Sequence, residues 1–308
     1  MLFRSGPVSV GTMEKGSPVM PESAVTVLFL LMNGLIWGLI IALIALGLTL
    51  IFGVMGIVNM AHGDLYMLGA VLAFYILPVF DSFWVALAAV PIMAAIVAAP
   101  MERFVLRPYE GHPSVTMIAT VGISFILQQL ALATYGGIPK KIAAPVDWSF
   151  NLLGVDYPGY RLIVAGIAIL IIVCLYLFLY RTNYGILIRA SIQDRQMAAA
   201  MGINVSRVLV STFVIGSGLA AIAGVLAAPI SQVFYLMGND VVLLCFIVVI
   251  IGGMGSLGGT LIAALTICAL EGVLASVLTP TQAKAAIFVV MVAVLMVRPR
   301  GLFGEREG

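Results

Sequence analysis

Charge is what this chain has least of. Only 9% of its 308 residues are Asp, Glu, Lys or Arg, against about a quarter in an ordinary soluble domain, and that shortage excludes a water-soluble fold. The net charge of +2 is too small to suggest a nucleic-acid partner. Cysteine is nearly absent too: Cys174, Cys245 and Cys268 all lie in apolar runs, without a pairing pattern or metal-ligand spacing, and read as inert packing residues. There is no G-x-x-x-x-G-K-[ST] stretch, and no polar segment large enough to form a nucleotide-binding domain around one. What remains is 63% hydrophobic, with a mean hydropathy of +1.19 and 32 glycines. The long Ala, Val, Ile and Leu runs do not alternate as barrel strands would, so the fold class is all-α: a polytopic membrane protein whose small residues let helices approach closely.

Residues 1–23, with Arg4, Lys15 and scattered Gly and Pro, read as a disordered tail, with Met13 and Met20 as alternative starts. The transmembrane domain occupies 24–300, with a basic loop at 181–207, and 301–308 form a C-terminal tail. The run 24–52 would reach about 43 Å as one helix, more than a hydrocarbon core of about 30 Å needs. Asn59 is expected to cap a new helix ending before Pro78. Further apolar segments lie at 83–101, 115–135, 162–180, 208–230, 241–251, 259–278 and 283–297. That makes eight or nine crossings, since 241–251 is too short to cross alone. With nine segments, Arg103 and Arg107, the group Arg181, Arg189, Arg195 and Arg207, and Arg298, Arg300 and Arg306 all fall on one side, which the positive-inside rule makes cytoplasmic. Lys140, Lys141, Arg161 and Lys284 then face outward. The loop 140–161, with Pro145, Asp147, Trp148, Asn151, Asp156, Tyr157 and Pro158, reads as an ordered external cap on which a receptor could dock, or as a plain solvated loop.

Three stretches stand out. In GLTLIFGVMGIVNMAHGDLYMLGA (47–70), Gly53, Gly56 and Gly63 interrupt an apolar run that carries Asn59, His62 and Asp64. Polar groups at membrane depth are costly and mark a pathway or a partner. Helical spacing puts Asn59, His62 and Tyr66 on one stripe and turns Asp64 away, toward a neighbouring helix or an arginine; the competing reading is that these residues mark only the membrane boundary. The start of a re-formed helix would also suit a substrate carboxylate. The second stretch, GGMGSLGG, places Gly252, Gly253, Gly255, Gly258 and Gly259 in another interruption, read as a tight intramembrane turn between half-helices. Gly253, Gly255 and Gly258 fit G-x-G-x-x-G, but the flanking segments are membrane-like and no βαβ unit surrounds them, so the match is a decoy. Glu271 is then a second intramembrane carboxylate, expected to pair with a polar group on a facing helix. The third, RTNYGILIRASIQDRQMAAAMGIN (181–204), reads as a short helix started by Ser191 or a neighbour, carrying Arg189, Asp194 and Arg195 near its start and Ala198, Ala199 and Ala200 on its body, and stopped by Gly202. It suits a plug for a partner's groove, or a basic anchor on anionic lipid.

Together, in this order and spacing, the three stretches resemble the permease subunit of branched-chain amino-acid ABC importers, the LivH type, over roughly 28–302. The resemblance implies an inner-membrane heterodimer with a second, related permease, two ATPase subunits on the cytoplasmic face, and a periplasmic binding protein that delivers the amino acid. It implies ATP on the partner subunits and no cofactor or metal on this chain. The loop from Ser191 to Gly202 would be the coupling helix, although the EAA signature of many such permeases is reduced to Ala198, Ala199, Ala200 and Gly202 without its Glu. Asn59, His62, Asp64, Tyr66 and Glu271 would line the translocation path. Close relatives of the family also carry urea, short amides, other amino acids and some aromatic acids. Two other classes compete: a proton-coupled secondary transporter with His62, Asp64 and Glu271 as its relay, and an intramembrane enzyme, against which stands the lack of any Ser or Cys within a turn of His62.

Overall fold

The computed structural model describes residues 22–146, 148–152, 155–298 and 301–303. The tail expected at 1–23 falls almost wholly outside them, as do Asp147, Arg300, Arg306 and most of the tail at 301–308. Eleven helices order the described residues: α1 Glu22–Met55, α2 His62–Phe80, α3 Phe83–Pro100, α4 Pro113–Tyr135, α5 Gly159–Arg181, α6 Asn183–Gln193, α7 Arg195–Ala200, α8 Val205–Ala227, α9 Met237–Gly252, α10 Leu257–Leu274 and α11 Pro280–Val297. A π turn, Met101–Leu106, and a 3-10 turn, Arg107–Tyr109, continue α3, so that span is longer than the apolar run suggests. Among the described residues eight helices are long and apolar enough to cross a membrane, and α9, with 16 residues, is a shorter apolar one.

Burial sorts these helices. α1 is the axis: every residue from Ile40 to Ala45 is fully buried, and α8 and the first half of α2 are nearly as enclosed. α4, α5 and α11 stand at the edge and expose apolar faces, for instance Ile118, Leu170 and Val289. A helix apolar on all sides fits the first position, and one whose outward face is also apolar fits only a lipid or protein neighbour.

Hydrogen bonds at the two ends fix which ends lie together. At one end Arg195 Nε donates to the Val54 carbonyl at 2.8 Å, Arg107 Nη2 to the Ser206 carbonyl at 3.0 Å, and the Leu302 N–H to the Ile251 carbonyl at 2.8 Å. The tips of α1, α3, α7, α8 and α9 therefore share this basic end. At the other, Lys140 and Val233 exchange backbone hydrogen bonds, and the Tyr157 hydroxyl donates to Asn33 Oδ1 at 2.6 Å.

The loop after α4, read as an ordered external cap, holds a short hairpin in which β1 Ser149–Leu152 pairs antiparallel with β2 Val155–Pro158. Two expectations are corrected. α2 continues through Pro78 to Phe80, because a proline three residues from the end forfeits a single backbone bond. It ends at Asp81 with φ 47. Cys174 is exposed rather than packed, unlike Cys245 and Cys268.

Candidate functional site

The connection between α1 and α2 runs back into the bundle. His62, the first residue of α2, donates from Nε2 to the Ile44 carbonyl at 2.9 Å; a carbonyl only accepts, so this nitrogen carries the proton. Ile44 lies three turns before α1 ends at Met55, about 16 Å along the axis. Residues 56–61 cover that distance, after a reversal at Gly56 whose φ of 65 favours a residue without Cβ. Of the three glycines in this stretch only Gly56 lies at the interruption; Gly53 is helical in α1 and Gly63 in α2. Asn59 does not start the new helix. Its Oδ1 accepts the Ala61 N–H at 3.1 Å, a local turn that ends just before the helix, and Ala61 takes the capping position without a side-chain bond.

The face opposite this connection is a polar stripe on α4. Thr116, Thr120, Ser124 and Gln128 recur every fourth residue and are all buried, while Phe125 and Ile126 between them are exposed. Thr120 Oγ1 accepts the Met60 N–H at 3.1 Å. Gln128 Nε2 lies 3.0 Å from Asp64 Oδ1, 3.0 Å from Ser124 Oγ and 3.0 Å from Asn239 Oδ1, tying α2, α4 and the first turn of α9 together. Asp64 is 1% exposed, and among the described residues no cation is within ion-pair distance of it. Its charge is met by neutral donors alone. His62 and Asp64 are not bonded to each other, as helical spacing implies. Asn59 Nδ2 and His62 Nδ1 are buried with no partner among the described residues, and Tyr66 is buried alongside.

α2 and α9 both begin at this layer. Gly63 and Gly238 meet so closely that a Cβ on either would strike the other's backbone carbonyl. Two helix N-termini, each with positive polarity, thus converge within the bundle, where Asp64 and Asp240 occupy their first turns. Thr49 of α1 and Thr260 of α10 share a further buried hydrogen bond of 2.9 Å. None of Thr49, Thr116, Thr120, Ser124, Gln128, Asn239 or Thr260 was singled out from the sequence. For α4 a signal existed, in four small or amide side chains at intervals of four within an apolar helix.

The second glycine interruption joins α9 to α10. Gly252 ends α9, Gly253 and Gly255 adopt φ 97 and 89, and Gly258 and Gly259 open α10, where Ser256 Oγ accepts the Gly259 N–H. The turn sits at the basic end, beside Leu302. Glu271 Oε2 is buried without a hydrogen-bond partner among the described residues, and Lys284 of the facing helix α11 acts on this carboxylate through its charge.

At the basic end the segment after α5 forms two helices, not one begun by Ser191. Ser191 is buried inside α6 and donates to the Leu187 carbonyl at 2.9 Å. Asp194 breaks the run and caps α7, its Oδ1 accepting the Met197 N–H at 2.9 Å. Gly202 takes φ 84 after α7, and the Gly202 and Ile203 N–H groups bond to the Ala199 and Ala198 carbonyls, the left-handed closure expected of a glycine there. Ala198 faces inward, whereas Ala199, Ala200, Met197 and Met201 are exposed. Arg189 stacks over the Tyr180 ring at 4.8 Å, and Arg195 pairs with Glu110 as well as with Val54. At the other end burial pushes the Tyr157 phenol up from its ordinary value, and the neighbouring Arg161 guanidinium pulls it partly back. Among the described residues no group of three or more His, Cys, Asp and Glu stands close enough to hold a metal ion.

Comparison with known proteins adds a pattern of relatives. Residues 30–297 match the family described as branched-chain amino acid transport system, permease component. The high-affinity branched-chain amino acid transport system permease protein LivH of Salmonella typhimurium is 30% identical, over 89% of this chain and 94% of that protein. BraD of Pseudomonas aeruginosa, described in the same words, is 30% identical over 90% of this chain and 95% of its own length. A probable branched-chain amino acid transport permease protein LivH of Methanocaldococcus jannaschii is 26% identical over 89% and 92%.

Proposed function

This chain belongs to the branched-chain amino acid transport system permease family, and from that premise we propose that it is the membrane-spanning subunit of an ATP-driven importer of branched-chain or related amino acids. The observation that carries the reading is the join between α7 and α1. Arg195 ties the start of α7 to the Val54 carbonyl, and ten residues earlier the same helix holds His62 at the Ile44 carbonyl. A displacement of α7 is thereby delivered, through one stiff helix, to the layer where α2 and α9 begin.

In this mechanism two ATPase subunits grip the exposed Met197, Ala199, Ala200 and Met201 surface of α7 from the cytoplasm. ATP is bound and hydrolysed on them, and this chain has no ATPase site and no cofactor of its own. Their closure moves α7, and the polar layer of Asn59, His62, Asp64 and Gln128 shifts between two packings, opening the path to one side at a time. A second, related permease completes the pore. A periplasmic binding protein delivers the amino acid to the end that carries Lys140 and the hairpin. The basic end, with the C-terminus, is cytoplasmic by the positive-inside rule, in an inner membrane.

Asp64, buried and with no cation at ion-pair distance among the described residues, favours one rival, a proton-coupled transporter using His62, Asp64 and Glu271. Extraction of the tagged chain in mild detergent, with its companions identified by mass spectrometry, separates the two. Two P-loop ATPases and a second permease are expected. Isolation of the chain alone, moving solute in ATP-free vesicles, would overturn the importer.

A further inference from the structure

Resting on the reading of this chain as an amino-acid permease, we infer that a cavity of about 180 Å³ between α1, α9, α10 and α11 is a transit site for the zwitterionic head of an α-amino acid. Its lining is of two kinds. Trp37, Ile247 and Ile287 give it an apolar wall, and Asp240, Glu271 and Lys284 bring charges of both signs to one small space. Glu271 Oε2 has no partner among the described residues, and Lys284 Nζ stands 3.8 Å from Asp240 Oδ1, a loose pair at the rim.

Burial makes Glu271 informative. It lies in the last turn of α10, at the end away from the basic end, and its Oε2 is buried. An ionisable group so enclosed in an apolar bundle is expensive and marks a passage or a partner. The volume is small beside the roughly 300–1,000 Å³ of drug-sized sites, so the occupant is compact.

A zwitterion satisfies every group at once. Its ammonium meets Glu271 and Asp240, its carboxylate meets Lys284, and a branched aliphatic side chain lies on Ile247 and Ile287. A simple anion would leave Glu271 without a cation, and a simple cation would leave Lys284 with no more than its loose 3.8 Å pair to Asp240. Urea or a short amide offers neither charge, so the lining selects an amino acid over either.

The test uses the whole importer, with its ATPases, second permease and binding protein, in lipid nanodiscs and in vesicles. In a Cys174→Ser background, Leu243→Cys places a thiol in the cavity wall, where Leu243 is about half exposed. Leucine is expected to slow maleimide labelling of that thiol, while isovalerate, lacking the ammonium, and leucinamide, lacking the carboxylate, do not. Glu271→Gln and Lys284→Met are expected to abolish the protection and to lower leucine uptake about tenfold or more, as loss of a charge-assisted contact implies. Lys284→Arg is expected to retain both. Equal protection by isovalerate or leucinamide overturns the site, and so does full leucine uptake by Glu271→Gln and Lys284→Met; in either case wild-type leucine uptake leaves the proposed function standing. A wild-type importer that carries urea or an amide and no amino acid overturns the function and the site together.

Discussion

Arg195 and Val54 are joined across the basic end of the bundle, the guanidinium Nε donating to the carbonyl at 2.8 Å. Val54 lies at the frayed end of α1, where the last carbonyls have no intrahelical donor, so Arg195 serves as an external cap for α1 and as the anchor of α7. Arg195→Ala is expected to cost about 1.5–3 kcal/mol locally, the worth of a hydrogen bond from a charged donor. The importer should still assemble and hydrolyse ATP, with leucine uptake per ATP reduced severalfold. Parallel uptake and phosphate-release measurements on reconstituted vesicles check this; unchanged coupling would remove α7 from the mechanism.

Gln128 is the hub of the buried polar layer. Gln128→Leu leaves the buried Asp64 short of a donor, which costs about 1–3 kcal/mol. Adding Asp64→Asn should recover part of the loss, because the carboxylate that most needs the donor is then gone. Thermal unfolding in detergent of the single and double variants reads the coupling; additive losses would show that the two side chains do not depend on each other.

Gly63 and Gly238 allow α2 and α9 to touch through their backbones. Gly238→Ala is expected to separate the two N-termini and destabilise by about 1–3 kcal/mol, the range for an overpacked core. Gly258→Ala, where an added Cβ meets nothing within 4 Å, should be tolerated. The ratio of monodisperse protein recovered from membranes for the two variants measures the difference.

The Tyr157 phenol, raised by burial and bonded to Asn33, ties β2 to α1. A group whose folded value lies above its unfolded one contributes fully below the unfolded value and loses that contribution as pH rises through the folded one. The tie should therefore be intact at neutral pH and fail only above the ordinary phenol value of about 10. Tyrosinate absorbance, with Tyr157→Phe as reference, should show one phenol titrating late.

Much of this was legible because lipid punishes exposed polarity. Composition alone gave the helical membrane class, and Gly202, placed after an Ala-rich run, gave the end of α7. The start of that helix was misplaced because Ser191 and Asp194 are both plausible caps. Only burial of Ser191 against the Leu187 carbonyl decides for Asp194. The interruption at Gly56 could be seen, but its depth could not, since that depends on His62 reaching Ile44, 18 positions back. The partners of Asp64 were invisible for the same reason: Gln128 and Asn239 are distant in sequence and meet it only through packing. For Glu271 the expected facing-helix group is Lys284 of α11, which acts through charge rather than through a hydrogen bond to Oε2.

The brevity of α9 also bears on how the protein is made. Sixteen residues rise about 24 Å, less than a bilayer core of about 30 Å, and Asp240 burdens the first turn. Such a segment is a poor candidate to leave the insertion machinery for lipid unaided, whereas paired with α10 through the Gly253–Ser256 turn it enters as a hairpin. The final third of the chain is then inserted late and as a unit. On this argument, insertion depends on the four residues of that turn.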